Sequence, residues 1–164
     1  MHEHRLTTLL SCNVAGTGDY VLYWMQQSQR VAYNHALEFA IQKANKLNLP
    51  LVVLFVVTNT YLGANERHYT FMFEGLIEVK KQLENLGITF CIRMGDFDKI
   101  VSEYAVNAHS VIFDLGYLHH QRQWRKDVLQ ALKKLDQPMN AYIVESDVIV
   151  PVRKAYHKGA YGAY

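Results

Sequence analysis

The stretch YVLYWMQQSQRVAYNHAL, residues 20–37, determines how the rest of the chain is interpreted. It opens with an apolar run, residues 20–25, whose length and β-branched and aromatic content predict a buried strand. A polar turn, residues 26–30, follows at once, and a helical pattern begins near Tyr33. Because open parallel sheets bind their ligands at the carboxyl ends of the strands, this turn is a candidate site.

Strand and helix patterns alternate along the rest of the chain. Apolar spacing predicts helices near residues 36–47, 67–86, 100–105 and 124–135, and apolar runs predict strands near 51–57, 88–94, 111–114 and 141–144. The alternation indicates an α/β fold, a five-stranded parallel Rossmann-like sheet with helices on both faces. We predict the strand order 3-2-1-4-5, which puts the topological switch between the first and fourth strands.

The length of 164 residues is that of one domain. We interpret residues 1–18 as a leader before the first strand, 19–152 as the α/β domain, and 153–164, which are rich in tyrosine and glycine, as the start of a linker. The net charge of +2 is too small to indicate nucleic-acid binding. No apolar run is long enough to predict a membrane span. The cysteines show no disulfide or zinc spacing, which fits a reducing cytoplasm.

The common phosphate-binding motifs are missing from the sequence. Gly16 and Gly18 precede the first strand, whereas a dinucleotide-binding loop needs glycines after it. No P-loop is present, and the next glycine after Gly116 is Gly159, so the phosphate loop of stress-protein domains after the fourth strand is missing too. A side chain such as Arg30 could still hold an anionic group.

Metal and nucleophilic chemistry are not predicted either. The adjacent His119 and His120 are interpreted as solvated loop residues, because no carboxylate or thiol stands at ligand spacing from them. His35, at a predicted helix start, is interpreted as a surface or hydrogen-bonded residue. No nucleophile elbow or Cys–His arrangement occurs, so no catalytic residue is predicted.

The strand ends at the predicted switch point supply the candidate binding residues. Trp24 and Met25 suit a planar aromatic ligand, or they complete the core. Gln26, Gln29 and Arg30 are harder to place in a core, so they meet a ligand, cap backbone groups or face water. Asn34 is predicted to cap the following helix, and Trp124 is assigned to the core. The candidate set, completed from the fourth strand, is Trp24, Met25, Gln26, Gln29, Arg30, Asp114 and Leu115.

The same stretch carries a family resemblance. W-M-Q-x-S-Q-R from Trp24, followed by Asn34 and residues 36–37, resembles the opening signature of the class II cyclobutane pyrimidine dimer DNA photolyases. The likeness continues in order through residues 49–53, 67–69, 71–72, 75–76, 123–124 and 148–152. It covers only the amino-terminal domain of that family.

The resemblance implies a light-harvesting α/β domain whose cleft binds an antenna chromophore, 8-hydroxy-5-deazaflavin or methenyltetrahydrofolate. It places the candidate set beside that cleft. In the family, excitation energy passes to flavin adenine dinucleotide (FAD) in a carboxyl-terminal helical domain. That domain also binds DNA and flips the damaged bases out of the duplex. The resemblance implies no metal and no membrane contact.

No sequence is present for such a helical domain, so we expect this chain alone not to repair DNA. We interpret it as a fragment or truncated product of a photolyase, with possible self-association through the vacated docking face. The alternative is a free-standing photolyase-like module that binds a nucleotide or another ligand, or a partner protein, without photorepair. The first interpretation predicts a ligand-sized aromatic cleft and an exposed apolar patch. The alternative predicts a cleft filled by Trp24 and Met25, and a polar surface.

Overall fold

One six-stranded sheet organises the residues that the computed structural model describes, which are 3–12, 17–59, 61, 63–137 and 139–155. The strands are β1 Leu6–Leu10, β2 Tyr20–Met25, β3 Leu51–Val57, β4 Thr89–Met94, β5 Ala108–Asp114 and β6 Asn140–Val144. A short 3-10 helix, Glu3–Arg5, precedes β1. The helices are α1 His35–Leu47, α2 Glu66–Asn85, α3 Phe97–Ala105, α4 His119–Leu132 and α5 Val152–Ala155.

The strands lie in the order β1-β6-β5-β2-β3-β4, and all neighbouring pairs are parallel except β1 with β6. The five parallel strands therefore follow the predicted order 3-2-1-4-5, and the α/β fold class is confirmed. Val21 and Tyr23 pack in the core beneath α1 and α2, whereas Leu22 and Trp24 pack in the core beneath α3 and α4. Both faces of the sheet are thus covered, as continuous apolar strands require.

The sixth strand corrects the sequence interpretation of the first residues. Residues 1–18 were interpreted as a leader, but Leu6–Leu10 pairs antiparallel with β6, with Leu6 opposite Val144 and Thr8 opposite Tyr142. The strand is short and half-exposed at the edge of the sheet, and two threonines interrupt its apolar residues. A run of this kind lacks the apolar continuity that identified the buried strands.

The limits of α1 and α2 agree with the predicted ones within one residue, whereas α3 begins three residues earlier and α4 begins five and ends three residues earlier. The Asn34 side chain accepts a hydrogen bond from the Leu37 amide at 3.0 Å, so the predicted cap of α1 is confirmed. Helix α4 begins at His119, so the interpretation of His119 and His120 as loop residues was wrong. Its first turn, residues 119–123, contains no aliphatic side chain, so the apolar period that marks the rest of the helix does not extend there.

Helix α5 lies at the end of the described chain, after the last strand. It begins one residue before the predicted linker. Residues 156–164, most of that predicted linker, lie outside the described residues. No helix in the described part of the chain has both the length and the apolar character needed to cross a membrane.

Gly18 lies where two backbone segments come into close contact. A Cβ atom at Gly18 would lie 2.1 Å from the carbonyl carbon of Ala108 and 2.1 Å from the amide nitrogen of His109. The neighbouring Asp19 amide donates to the Asn107 carbonyl at 2.8 Å, which holds the start of β2 against the start of β5. This glycine is therefore required by the packing of the two central strands.

We predict that Gly18→Ala lowers the free energy of unfolding by about 2–3 kcal/mol or more, because the methyl group would collide with backbone that cannot move independently. Urea denaturation followed by circular dichroism measures the change. Gly75→Ala is the matched control, since a Cβ there meets no atom within 4 Å. Equal stability of Gly18→Ala and the wild type would contradict this description of the β2–β5 contact.

Candidate functional site

The polar turn after β2 is held by one buried carboxylate at the end of β5. Asp114 Oδ2 accepts hydrogen bonds from the amides of Gln26, Gln27 and Ser28 at 3.0, 2.9 and 3.0 Å. Its Oδ1 accepts from the Tyr23 hydroxyl at 2.7 Å. Burial raises the pKa of the Asp114 carboxyl above its ordinary value, and these four hydrogen bonds act in the opposite direction. Asp114 thus satisfies three successive amides that the end of β2 leaves unpaired.

Asn34 holds the other end of the same turn. Its Nδ2 donates to the carbonyls of Ser28 and Arg30, both at 3.0 Å, and to the Tyr23 hydroxyl at 3.1 Å. Its Oδ1 caps α1 at Leu37. Because Asn34 is fully buried, each of these bonds replaces one that water would otherwise supply. The turn and the first helix are therefore fixed as one unit.

The segment after β6 closes the turn on its other flank. Ser28 Oγ donates to Asp147 Oδ1 at 2.7 Å, and Arg30 lies 3.4 Å from the same oxygen. Arg30 also donates to the Ser146 carbonyl at 3.2 Å, and the Ser146 hydroxyl accepts from the Ala36 amide at 3.0 Å. The guanidinium of Arg30 is therefore directed to the β6 side of the sheet end.

A cleft of about 840 Å³ opens on the opposite side of the turn, between the two helix layers at the carboxyl ends of β2 and β3. Its floor and polar rim consist of the turn, the end of β3 and the following loop. Its walls come from α2 as far as Glu78, from the first residue of α3 and from the first two turns of α4. The lining residues are Gln26, Gln27, Gln29, Phe55, Val56, Val57, Thr58, Tyr61, Gly63, Ala64, His68, Tyr69, Phe71, Met72, Glu74, Gly75, Glu78, Phe97, Gln121 and Trp124.

Aromatic rings packed at tilted and edge-to-face angles form the wall on the α3 and α4 side. The ring of Trp124 lies 4.5 Å from that of Phe97, 4.8 Å from that of His120 and 6.0 Å from that of Tyr61, measured between centroids. Behind Phe97, Trp24 continues the cluster into the core at 5.7 Å. Such a wall offers a large rigid apolar surface to a planar ligand.

Polar atoms with unused hydrogen-bonding capacity lie beside this wall. Gln26 Nε2 and His120 Nε2 are buried, and neither has a hydrogen-bond partner among the described residues. In contrast, Gln27 Oε1 accepts a hydrogen bond from Gln121 Nε2, so those two side chains are paired with each other. A buried amide donor without a partner is costly unless a ligand or water satisfies it. Gln26 is therefore the side chain of the turn best placed to recognise a bound molecule.

Some of the residues predicted for the site line the cleft in the structure, and the others do not. Gln26 and Gln29 line the cleft. Trp24 and Met25 are buried in the two cores and do not line it, because successive residues of a strand covered on both faces alternate between them. Arg30 is outside the cleft, among Asp147, Ser146 and Tyr33.

The two residues predicted from the end of β5 also lie outside the cleft. Asp114 does face the turn, as expected, but its oxygens accept hydrogen bonds from the protein itself. Leu115 packs against the core beneath α3 and α4, and its amide donates to the Val144 carbonyl at 3.0 Å. Asp114 therefore supports the turn, and Leu115 links the end of β5 to β6.

Other lining residues were not found by sequence reasoning. Phe97 is the first residue of α3 and Trp124 lies in the second turn of α4. Both helices follow strand ends, and that position is the signal that could have identified the two residues. Trp124, assigned to the core, packs against it with part of its ring and lines the cleft with the rest. His120, interpreted as a solvated loop residue, is half-buried on Trp124. The described residues contain no cluster of three or more potential metal ligands.

Comparison with known proteins identifies related sequences. The family model described as DNA photolyase matches residues 21–164. The chain is 40% identical to the deoxyribodipyrimidine photo-lyase of Methanothermobacter thermautotrophicus over 163 residues, which are 99% of this chain and 36% of that protein. The chain spans about a third of the length of the curated relatives that it matches.

Solved structures share the fold at low sequence identity. A class III photolyase from Agrobacterium tumefaciens superposes with a TM-score of 0.67 at 17% identity, over 82% of this chain and 27% of that one. An archaeal photolyase from Sulfolobus tokodaii, whose structure contains two FAD molecules, superposes with a TM-score of 0.62 at 16% identity, over 76% of this chain and 28% of that one.

We predict that Asp114→Asn lowers the free energy of unfolding by about 2–4 kcal/mol, because an amide cannot accept three backbone N–H groups on one side while receiving the Tyr23 hydroxyl on the other. Urea denaturation measures the loss. The exposed Asp136→Asn is the control and should leave stability unchanged. If Asp114→Asn lowered the free energy of unfolding no more than the control does, the turn would not depend on this carboxylate.

Proposed function

This chain belongs to the DNA photolyase family, and from that premise we propose that it is the light-harvesting domain of a photolyase. In this proposal the cleft between the helix layers binds the antenna chromophore. One observation carries the proposal, namely the cleft of about 840 Å³ with an aromatic wall at the carboxyl ends of β2 and β3. Its volume falls in the range of sites for small organic ligands, about 300–1,000 Å³.

The chemistry of the walls favours a planar heterocycle. A ring system inserted beside Trp124 and Phe97 would bury apolar area on both of its faces, since Met72 and Tyr69 line the cleft from α2. The unpartnered Nε2 of Gln26 would donate to a ring carbonyl or ring nitrogen. We therefore propose Trp124, Phe97 and Gln26 as the principal chromophore contacts, with Gln29 at the rim.

The charges around the cleft favour a chromophore without phosphate groups. Apart from the tyrosines, the acidic and basic side chains among the described lining residues are His68, Glu74 and Glu78, and no lysine or arginine is among them. A pyrophosphate such as that of FAD would lie near two carboxylates without a guanidinium or ammonium partner. The charges of the cleft therefore favour 8-hydroxy-5-deazaflavin or methenyltetrahydrofolate over a second FAD of the kind the Sulfolobus structure suggests.

Repair of cyclobutane pyrimidine dimers would then need a helical domain that holds FAD and DNA, as the resemblance to class II photolyases implies. The curated relatives are about three times as long as this chain, which leaves room for such a domain. Four of the exposed apolar side chains of the described residues are candidates for its docking surface. Ile149 is 94% exposed and Tyr33 87% exposed, with Val150 and Leu118 also exposed. We propose that this surface, residues 33, 118, 149 and 150, contacts the helical domain, and that this chain alone lacks repair activity.

The alternative of a module that kept the fold without a chromophore predicts a cleft filled by Trp24 and Met25. Both side chains are fully buried, in the two cores beneath the helices. They do not fill the cleft, however, which remains open beside them. Chromophore binding separates the two functions, since an interaction module would bind neither deazaflavin nor folate.

We predict saturable binding of 8-hydroxy-5-deazaflavin or methenyltetrahydrofolate, read by quenching of tryptophan fluorescence. Trp124→Leu and Gln26→Ala should each weaken it by about tenfold, because they remove a stacking surface and a buried donor. Gln123→Ala, on an exposed side chain next to Trp124, should leave the affinity unchanged. Arg30→Ala should also have little effect. Absence of binding to both chromophores would contradict the proposed function, and a large loss in Arg30→Ala would place the site on the β6 side instead.

We predict weak self-association through the docking surface in the absence of its partner. Sedimentation velocity at rising protein concentration should show a rising sedimentation coefficient, and Ile149→Glu should reduce the rise by placing a charge in the apolar contact. Ile77→Glu, which changes an exposed side chain on α2, is the control. A wild-type protein that stays monomeric throughout the concentration range would exclude this interface.

A further inference from the structure

The α2 wall of the cleft contains a glycine that the domain itself does not require. Gly75 lies in the middle of the twenty-residue helix Glu66–Asn85 and lines the cleft. A Cβ atom at this position would meet no heavy atom within 4 Å, so the site in front of it is open space. Phe71 and Glu78, one turn away on either side, also line the cleft. Gly75 is therefore a gap in the α2 wall.

Neither common reason for a glycine applies at this position. The positive backbone φ angles recorded for glycines of the described chain belong to Gly63, Gly87 and Gly95, so the conformation of Gly75 is one that any residue adopts. Close packing does not require it either, in contrast to Gly18, where a Cβ would collide with backbone. Glycine in a helix interior lowers helix stability relative to alanine. Gly75 thus makes α2 less stable at an exposed position that lines the cleft.

We propose that Gly75 is a binding determinant that sets the width of the cleft, because it lets the edge of a planar ligand approach the backbone of α2 opposite the aromatic wall. This inference rests on the proposed function, since it assigns the gap to the chromophore. A side chain longer than a methyl group at residue 75 would project into the cleft, between Phe71 and Glu78. The space between α2 and Trp124 would then be too narrow for a ring system.

The test compares three variants by titration with 8-hydroxy-5-deazaflavin and with methenyltetrahydrofolate. Gly75→Leu should weaken binding of the chromophore that the wild type accepts by about tenfold or more, since the side chain occupies ligand space. Gly75→Ala should weaken it by less than about threefold, because a methyl group extends little beyond the backbone. Gln82→Leu adds the same leucine to an exposed position of α2 outside the cleft lining and should bind as the wild type does.

Thermal unfolding of the same proteins shows whether the variants are folded. Gly75→Ala should raise the melting temperature by about 2–4 °C, and Gly75→Leu should not lower it, since both residues form helices better than glycine. Binding by Gly75→Leu equal to that of the wild type would overturn the role of Gly75 while leaving the proposed function intact. Equal losses in Gly75→Ala and Gly75→Leu would overturn it too, since volume would not be the cause. A wild type that binds neither chromophore would contradict the proposed function and, with it, this inference.

Discussion

The acceptance of three successive backbone amides by the buried carboxylate of Asp114 is the interaction on which the end of the sheet depends. Strands β2 and β5 are neighbours whose chains then turn in opposite directions, so the backbone at the end of β2 has no strand to pair with. Unpaired buried amides would destabilise this point strongly. Asp114 accepts from these amides, and Asn34 donates to the carbonyls of Ser28 and Arg30 in the same turn, so the turn is held in place without a glycine-rich sequence.

This arrangement divides the carboxyl edge of the sheet into a closed side and an open side. On the β6 side, Ser28 and Arg30 are bonded to Asp147 and Ser146, so the polar side chains there are used by the protein. On the β3 side, Gln26 and the aromatic rings around Trp124 surround an open cleft. The polar signature of the turn therefore serves two purposes. Most of its polar side chains make hydrogen bonds that hold the turn in place, and the others face the candidate ligand.

The sequence predicted the parallel sheet and its strand order because long apolar runs and helical spacing are local signals that need no tertiary information. It also predicted the Asn34 cap, which depends on residues three positions apart. It failed for β1, because a five-residue edge strand containing two threonines lacks the apolar continuity of a strand covered on both faces. This strand forms because it pairs with β6, which is far along the chain, and a local sequence pattern does not indicate such a pairing.

The binding residues were predicted less completely, for a related reason. The sequence showed that Trp24, Asp114 and Arg30 stand at strand ends, but not which way each side chain points or which hydrogen bonds it makes. The Trp24 side chain is buried in the core, and the Asp114 oxygens accept hydrogen bonds from the protein itself. Trp124 lies in the cleft because α4 begins five residues earlier than its apolar spacing suggests. A cleft formed by four elements is a property of their packing, which a single sequence does not display.

The central claim is that the cleft between Trp124 and α2 holds the chromophore. A crystal structure of the protein with 8-hydroxy-5-deazaflavin or methenyltetrahydrofolate bound tests it most directly. The account predicts a ring stacked on the Trp124 side of the cleft, within hydrogen-bond distance of Gln26 Nε2, with its edge against the backbone at Gly75. A ring bound instead beside Arg30 and Asp147, on the β6 side of the turn, would contradict it.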